Sequence, residues 1–359
     1  EVSPDGLQYT FHLRRGVKFQ TTDEFTPTRD MNADDVIFTF DRQMNPANPY
    51  HTYADRPYVY FEGVGMPKLI SGWRKIDDYT LVLTLPAPHA PMIANLAMDF
   101  GSLMTKEYAD FLAAKGRMKD LATKPVGTGP YVMVSWTKGS KAVIKANPNY
   151  WGGPPPIGNA DFQPISEPTV RLSSLKTGEI NLVSDLLPEQ MAQVPQAAQT
   201  KGLESPTVIL NTRSGPFKNQ LVREAANLAI DKASLISKLY NGLGSVASCQ
   251  IMGETTFGFD PNLKPYAYDV DKAKQLLAQA GDPHPSVTFV GDSSGRWLKD
   301  VELEQAIAGY LQAVGFNVTL KLADFSTYLS ELFPKSNDAT VARPDMVFVS
   351  TDNVLGDAD

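Results

Sequence analysis

The sequence predicts an α/β protein of two lobes, and three observations carry that prediction. Short period-2 runs of apolar residues alternate with longer runs of helical spacing along the 359 residues. From about residue 207 the order becomes regular, strand then helix then strand, as in a parallel sheet. At roughly 100–200 residues per domain, the length also allows more than one core.

The elements follow in order. Tyr9, Phe11 and Leu13 alternate with Thr10, His12 and Arg14, which predicts a half-buried strand. Asn32 reads as the N-cap of a helix with Asp34 and Asp35 in its first turn and Val36, Ile37, Phe40 and Met44 on its apolar face. Residues 45–68, rich in Pro, Tyr and Asn, predict a long surface loop. Alternation returns at Tyr79–Leu85 and is broken by Pro86, Pro88 and Pro91. Pro125-Val126-Gly127-Thr128-Gly129-Pro130 is a turn signal before the apolar stretch Tyr131–Trp136. Gly152-Gly153-Pro154-Pro155-Pro156 makes a rigid connector.

Beyond residue 207 a helix is predicted over roughly 219–241. Another runs from the cap Asp269 through Ala273, Leu276, Leu277 and Ala280 to Gly281 at C′. Val287–Val290 reads as a strand, and Leu303, Ile307, Leu311 and Val314 mark a helix face stopped by Gly315. Val318, Leu320 and Leu322 alternate as the next strand, completing a βαβ unit, and Met346–Val349 is a third strand. This shift of pattern places a boundary near 207–215.

Composition excludes several functions. Against 40 acidic side chains the chain has 33 basic ones, for a net charge of −7, and no Lys/Arg-rich run, so nucleic acid is not an expected partner. No stretch reaches the ~20 apolar residues of a membrane span. The single cysteine, Cys249, rules out an internal disulfide framework and a multi-cysteine zinc site, and it is expected to be buried and inert. His12, His51, His89 and His284 show no HExxH or HxxxH spacing, so neither a metal nor a cofactor is expected. His12, on the polar side of its strand, is expected to be solvated or hydrogen-bonded. Asp34 and Asp35 point about 100° apart on a helix, so capping explains them better than acid–base chemistry. Gly127-Thr128-Gly129-Pro130 lacks the Lys-Ser/Thr ending of a phosphate loop, and no G-x-S-x-G elbow occurs. With no nucleophile–base pair and no metal set, the expectation is a protein that is not an enzyme.

Two clusters remain. Ser293-Ser294-Gly295-Arg296-Trp297 follows one predicted strand and precedes a helix, at the edge where open α/β sheets bind ligands. Arg296 can grip a carboxylate in bidentate fashion, and Trp297 can wall a pocket. Asp352-Asn353-Val354-Leu355-Gly356-Asp357-Ala358-Asp359 follows another strand and can receive an ammonium group or stand as a solvated acidic loop. The spacing of a calcium loop is absent.

Longer motifs carry a resemblance. Asp5-Gly6-Leu7-Gln8-Tyr9-Thr10-Phe11-His12-Leu13-Arg14-Arg15-Gly16-Val17-Lys18-Phe19 resembles a signature of the peptide-type (family 5) extracellular solute-binding proteins of ABC transporters. Asn32-Ala33-Asp34-Asp35-Val36, Pro125–Tyr131, Asn149-Tyr150-Trp151-Gly152 and Tyr268-Asp269 through Ala280-Gly281 agree with it in order. The first 110 or so residues are most similar to the dipeptide-binding branch.

The resemblance implies a bilobed periplasmic-binding-protein (Venus-flytrap) fold. Residues 1–206 would belong to the first lobe, with a subdomain at about 20–120, and residues 207–359 to the second. It implies a periplasmic or cell-surface monomer that captures a short peptide and delivers it to an ABC transporter permease. It also implies that the 359 residues are the central run of a longer chain, cut at both ends. Gly356-Asp357-Ala358-Asp359 matches the Gly-Asp-x-Asp of dipeptide binders, which makes Asp359 the receiver of the peptide ammonium, with Asp357 beside it. Arg296 falls near the arginine that holds the peptide carboxylate. One departure stands out: Val349-Ser350-Thr351 occupies the place of a Gly-Trp pair. The alternative cargo is therefore an opine-like conjugate, an oligosaccharide or a metal chelate.

Overall fold

The computed structural model describes residues 1–52, 58–200, 202–251, 253–254, 256–332 and 343–352. They form two compact units, Glu1–Ile165 and Ser166–Asp359.

The first unit contains β1 (Gln8–His12), α1 (Ala33–Met44), α2 (Val59–Gly63), α3 (Met66–Leu69), β2 (Gly72–Asp77) and β3 (Thr80–Thr84). After these come α4 (Met92–Leu96), α5 (Lys106–Ala114), β4 (Tyr131–Thr137), β5 (Lys141–Ala146) and β6 (Asn159–Phe162). β3 lies between β1 and β2, antiparallel to both, and β5 lies likewise between β4 and β6. Tyr9, Leu81 and Leu83 of the first sheet pack with Val36 and Phe40 of α1, while Phe38 reaches a second cluster with Phe25, Tyr108 and Leu112. Burying two faces of one helix ties these clusters together.

The start of α1 is built as its sequence predicts. Asn32 is extended, its side chain accepts from the Asp34 amide at 3.0 Å, and its own amide donates to Asp35 Oδ2 at 3.0 Å. This is a capping box with Asp in the third position. Asp35 is fully buried and also takes both guanidinium nitrogens of Arg29, at 2.6 and 3.0 Å. Asp34 faces outward to Lys75 at 2.8 Å. The two carboxylates therefore have separate structural partners.

Three expectations need correction. The segment 45–68 is not all loop: α2 and α3 lie within it, and Phe61 and Met66 are fully buried. Gly65, with φ of +76°, turns the chain between them, a conformation that costs other residues more. The helix expected over 219–241 is two helices. Asp231 breaks it by accepting the Ser234 amide at 2.9 Å as a new N-cap, which outweighs the continuing apolar pattern. Cys249 is exposed, not buried. It lies in irregular chain, and its thiol donates to the Lys264 carbonyl at 3.2 Å. His12 is exposed as expected, 3.1 Å from Glu1 Oε1.

The second unit carries α6 (Pro168–Thr177), β7 (Glu204–Leu210), α7 (Gln220–Ala229), α8 (Lys232–Leu239), α9 (Val270–Gln279) and β8 (Ser286–Asp292). It continues with α10 (Asp300–Val314), β9 (Asn317–Ala323), α11 (Phe325–Leu332) and β10 (Met346–Asp352). The strand order is β7-β10-β8-β9, with β8 parallel to both β9 and β10, and β7 antiparallel to β10. Phe217, Leu277, Phe289, Leu311 and Phe348 are all but fully buried at the centre of its core. α9 starts at the Asp269 cap, and α10 stops at Gly315, whose φ is +121°.

Asp35→Ala removes a cap acceptor and leaves Arg29 without its buried partner. It should cost about 2–4 kcal/mol of unfolding free energy, whereas Asp34→Ala should cost under about 1 kcal/mol. Equal denaturation midpoints for the two variants would contradict this account of α1.

Candidate functional site

Parallel pairing of β8 with β9 and β10 brings three chain exits to one sheet edge, after Asp292, Ala323 and Asp352. The segment 293–299 leaves β8 there, and α11 starts there after β9. Residues 353–359 lie outside the described residues, so Asp357 and Asp359 have no structural account.

Arg296 is exposed at this edge, with its guanidinium 4.4 Å from the ring centroid of Phe325 and 5.8 Å from that of Trp297. Among the described residues it forms no ion pair and no hydrogen bond. Trp297 is half-buried and meets Tyr328 and Phe348 edge-on, at 5.8 and 5.9 Å between centroids. Tyr328 is buried and donates to the Phe348 carbonyl of β10 at 2.7 Å, and burial pushes its phenol up to about 12. Phe325 stacks on Tyr328 at 5.9 Å with 21° between the ring planes. The aromatic group is thus anchored in the sheet beneath the arginine.

The nearest acid in sequence to Phe325 is already committed. Asp324 accepts from the Ser326 and Thr327 amides at 3.1 and 3.2 Å and from their hydroxyls at 2.8 and 2.6 Å. The Thr327 hydroxyl and then that of Ser326 lead in holding its carboxyl down at about 2. Ser350, at the departure from the dipeptide-binder pattern, donates to Glu204 Oε1 at 2.6 Å.

Both ends of the 293–299 segment are pinned by acids. Asp292 accepts from the Ser294 amide at 3.2 Å and from its hydroxyl, and Asp300 accepts from the Trp297 amide at 3.0 Å. Lys299 sits in the left-handed region with φ of +60°, and its ammonium bonds Glu189 at 2.7 Å and Glu302 at 3.3 Å. These contacts raise the lysine and lower Glu189. They also offset the strain of a non-glycine residue in that conformation.

Beneath the segment lies a third acid, Glu304 of α10, fully buried with both oxygens unpartnered. Its carboxylate fills the space where a side chain on Gly291 would begin: a Cβ there would lie 1.8 Å from Oε2. Burial, then the charges of Asp300 and Asp292, raise Glu304 to about 8, the Asp292 amide offsetting a little. Burial raises Asp300 as well. Glu304 is therefore protonated at neutral pH.

Of the residues picked from the sequence, the fold gathers Arg296 and Trp297 at one edge. The sequence reading missed Phe325, Lys299 and Glu304. Phe325 follows a parallel strand, so the rule that picked Arg296 also applies to it. Glu304 is three, four and seven residues before Ile307, Ala308 and Leu311, which places it on the apolar stripe. Among the described residues, no three His, Cys, Asp or Glu side chains are grouped to hold a metal. No helix among them is long and apolar enough to cross a membrane.

Comparison with known proteins gives the family and the fold. The family described as "Bacterial extracellular solute-binding proteins, family 5 Middle" matches residues 1–358. The chain is similar to Heme-binding protein A of Haemophilus influenzae, 41% identical over 306 residues, 84% of this chain and 55% of that protein. It is similar to the Dipeptide-binding protein of Escherichia coli, 40% identical over 78% of this chain and 53% of that protein. Its fold matches the periplasmic binding protein DppA of Helicobacter pylori, solved with the peptide STSA. The TM-score is 0.84 at 35% identity, over 98% of this chain and 68% of that one. The chain spans about half the length of these curated relatives. It belongs to family 5 of the bacterial extracellular solute-binding proteins and has the α/β fold of periplasmic binding proteins.

Glu304 gives the fold a pH dependence of known sign. The unfolded chain releases this proton near 4.5, whereas the folded chain keeps it to about 8. Stability should therefore fall as pH rises from about 4.5 to about 8, by on the order of 5 kcal/mol, and level off above. Glu304→Gln should flatten that slope. A pH–stability curve with the same slope in both proteins would overturn the assignment.

Proposed function

We propose that this family 5 chain is the ligand-capturing part of an ABC transporter's substrate-binding protein. Its ligand is a short peptide, a dipeptide or a longer oligopeptide, held between two lobes and passed to a membrane permease. Residues 1–206 contribute to the first lobe and 207–359 to the second. The protein works as a monomer, in the periplasm or anchored at the cell surface, and catalyses no reaction.

The observation that carries this reading is Arg296, a cation on an aromatic shelf at the carboxyl edge of parallel strands, with no acid partner among the described residues. A short peptide carries an ammonium and a carboxylate, and each is costly to desolvate unless paired. Arg296 suits the carboxylate, because its planar fork makes two charge-assisted hydrogen bonds. The acid assigned to the ammonium is Asp359, two residues after Asp357 in the sequence. Two fixed charges at opposite ends of the ligand select length and termini, and water in roomy side-chain subsites tolerates sequence. Lobe closure by a hinge then offers the permease a loaded shape.

One relative supports a second cargo within the same class. Heme-binding protein A is similar over most of this chain, and a porphyrin's propionates would present Arg296 with the same carboxylate chemistry.

Calorimetry on the intact protein with Ala-Ala, N-acetyl-Ala-Ala and Ala-Ala-amide tests the two-ended clamp. Ala-Ala should bind at least about tenfold tighter than either blocked peptide. Arg296→Gln should erase the preference over the amide, and Asp359→Asn the preference over the acetylated peptide. Equal binding of all three would sink the clamp. Saturable heme binding without any peptide binding would move the assignment to the second cargo.

A further inference from the structure

We infer that Phe325 is a positioning residue for the ligand's carboxylate, acting by holding the guanidinium of Arg296. The inference rests on the carboxylate-binding reading of Arg296 and extends it to a residue on a different strand exit.

The geometry is specific. An arginine on a loop has many rotamers, and ordering them costs binding energy. Here the guanidinium lies 4.4 Å from the Phe325 centroid, within cation–π range. An aromatic face occupies the flat side of the guanidinium and leaves its in-plane N–H donors free. Those donors are the ones a carboxylate takes in a bidentate pair.

The shelf itself is fixed from below. Phe325 stacks on Tyr328, whose hydroxyl is tied to the β10 backbone at Phe348, and Trp297 braces Tyr328 from the side. Asp324 would be the natural acid to neutralise the arginine, but its oxygens are committed to Ser326 and Thr327. The cation is therefore oriented without being discharged.

The test compares Ala-Ala with Ala-Ala-amide on the intact wild-type protein and on Phe325→Leu, Phe325→Trp and Arg296→Gln. Leucine keeps apolar bulk and loses the aromatic face. Phe325→Leu should lower acid affinity by about fivefold to tenfold more than amide affinity, and Phe325→Trp should restore the preference. A preference retained in Phe325→Leu, or equal losses for both ligands, would overturn the role of Phe325 and leave that of Arg296 standing. A wild type that does not prefer the acid, or a preference surviving Arg296→Gln, would remove the reading of Arg296 and this inference with it.

Discussion

Parallel strands cannot be joined by a tight turn, and the edge of the second unit follows from that constraint. Each return to the same end of the sheet needs a crossover, which α10 supplies between β8 and β9. Because β8 is parallel to both neighbours, the exits after Asp292, Ala323 and Asp352 share one edge. Residues distant in sequence thereby become one surface. Arg296 after β8 meets Phe325 after β9, and Trp297 meets Phe348 within β10. No single segment holds that arrangement; the strand order makes it.

The same edge treats opposite charges in opposite ways. The exposed Arg296 loses little hydration to its aromatic neighbours, because guanidinium is weakly hydrated. The buried acids below cannot all stay ionised. Asp292 and Asp300 receive amide donors, whereas Glu304 receives none of adequate geometry and keeps its proton instead. A neutral Glu304 also spares Asp300 a third nearby charge, and Asp300 holds the Trp297 amide that ends the Arg296 segment.

Local chemistry was the readable part of the sequence. Asn32, Asp269, Gly281 and Gly315 signal helix ends through groups a few residues away, and all four stand where that logic puts them. Long-range competition was not readable. Phe61 and Met66 order short helices by burial in a stretch whose composition favours loop, whereas the cap at Asp231 is a local signal that the continuing apolar pattern over 219–241 hid. The site divides the same way. Arg296 was visible from its place after a strand. Phe325 depends on which strand lies beside which, and Glu304 is a polar letter on an apolar stripe whose meaning depends on Gly291.

The contact between Gly291 and Glu304 couples two positions that lie on different elements. The glutamate occupies the volume of the first atom any side chain at 291 would add. A side chain at 291 enters only if the Glu304 carboxylate, the far end of a flexible side chain, moves aside, and a smaller residue at 304 leaves a void beside Gly291. The two positions are therefore coupled: what 291 can add depends on where the carboxylate of 304 goes. Substitutions at the two positions therefore act as one packing unit beneath the loop that carries Arg296, and their effects on stability do not add.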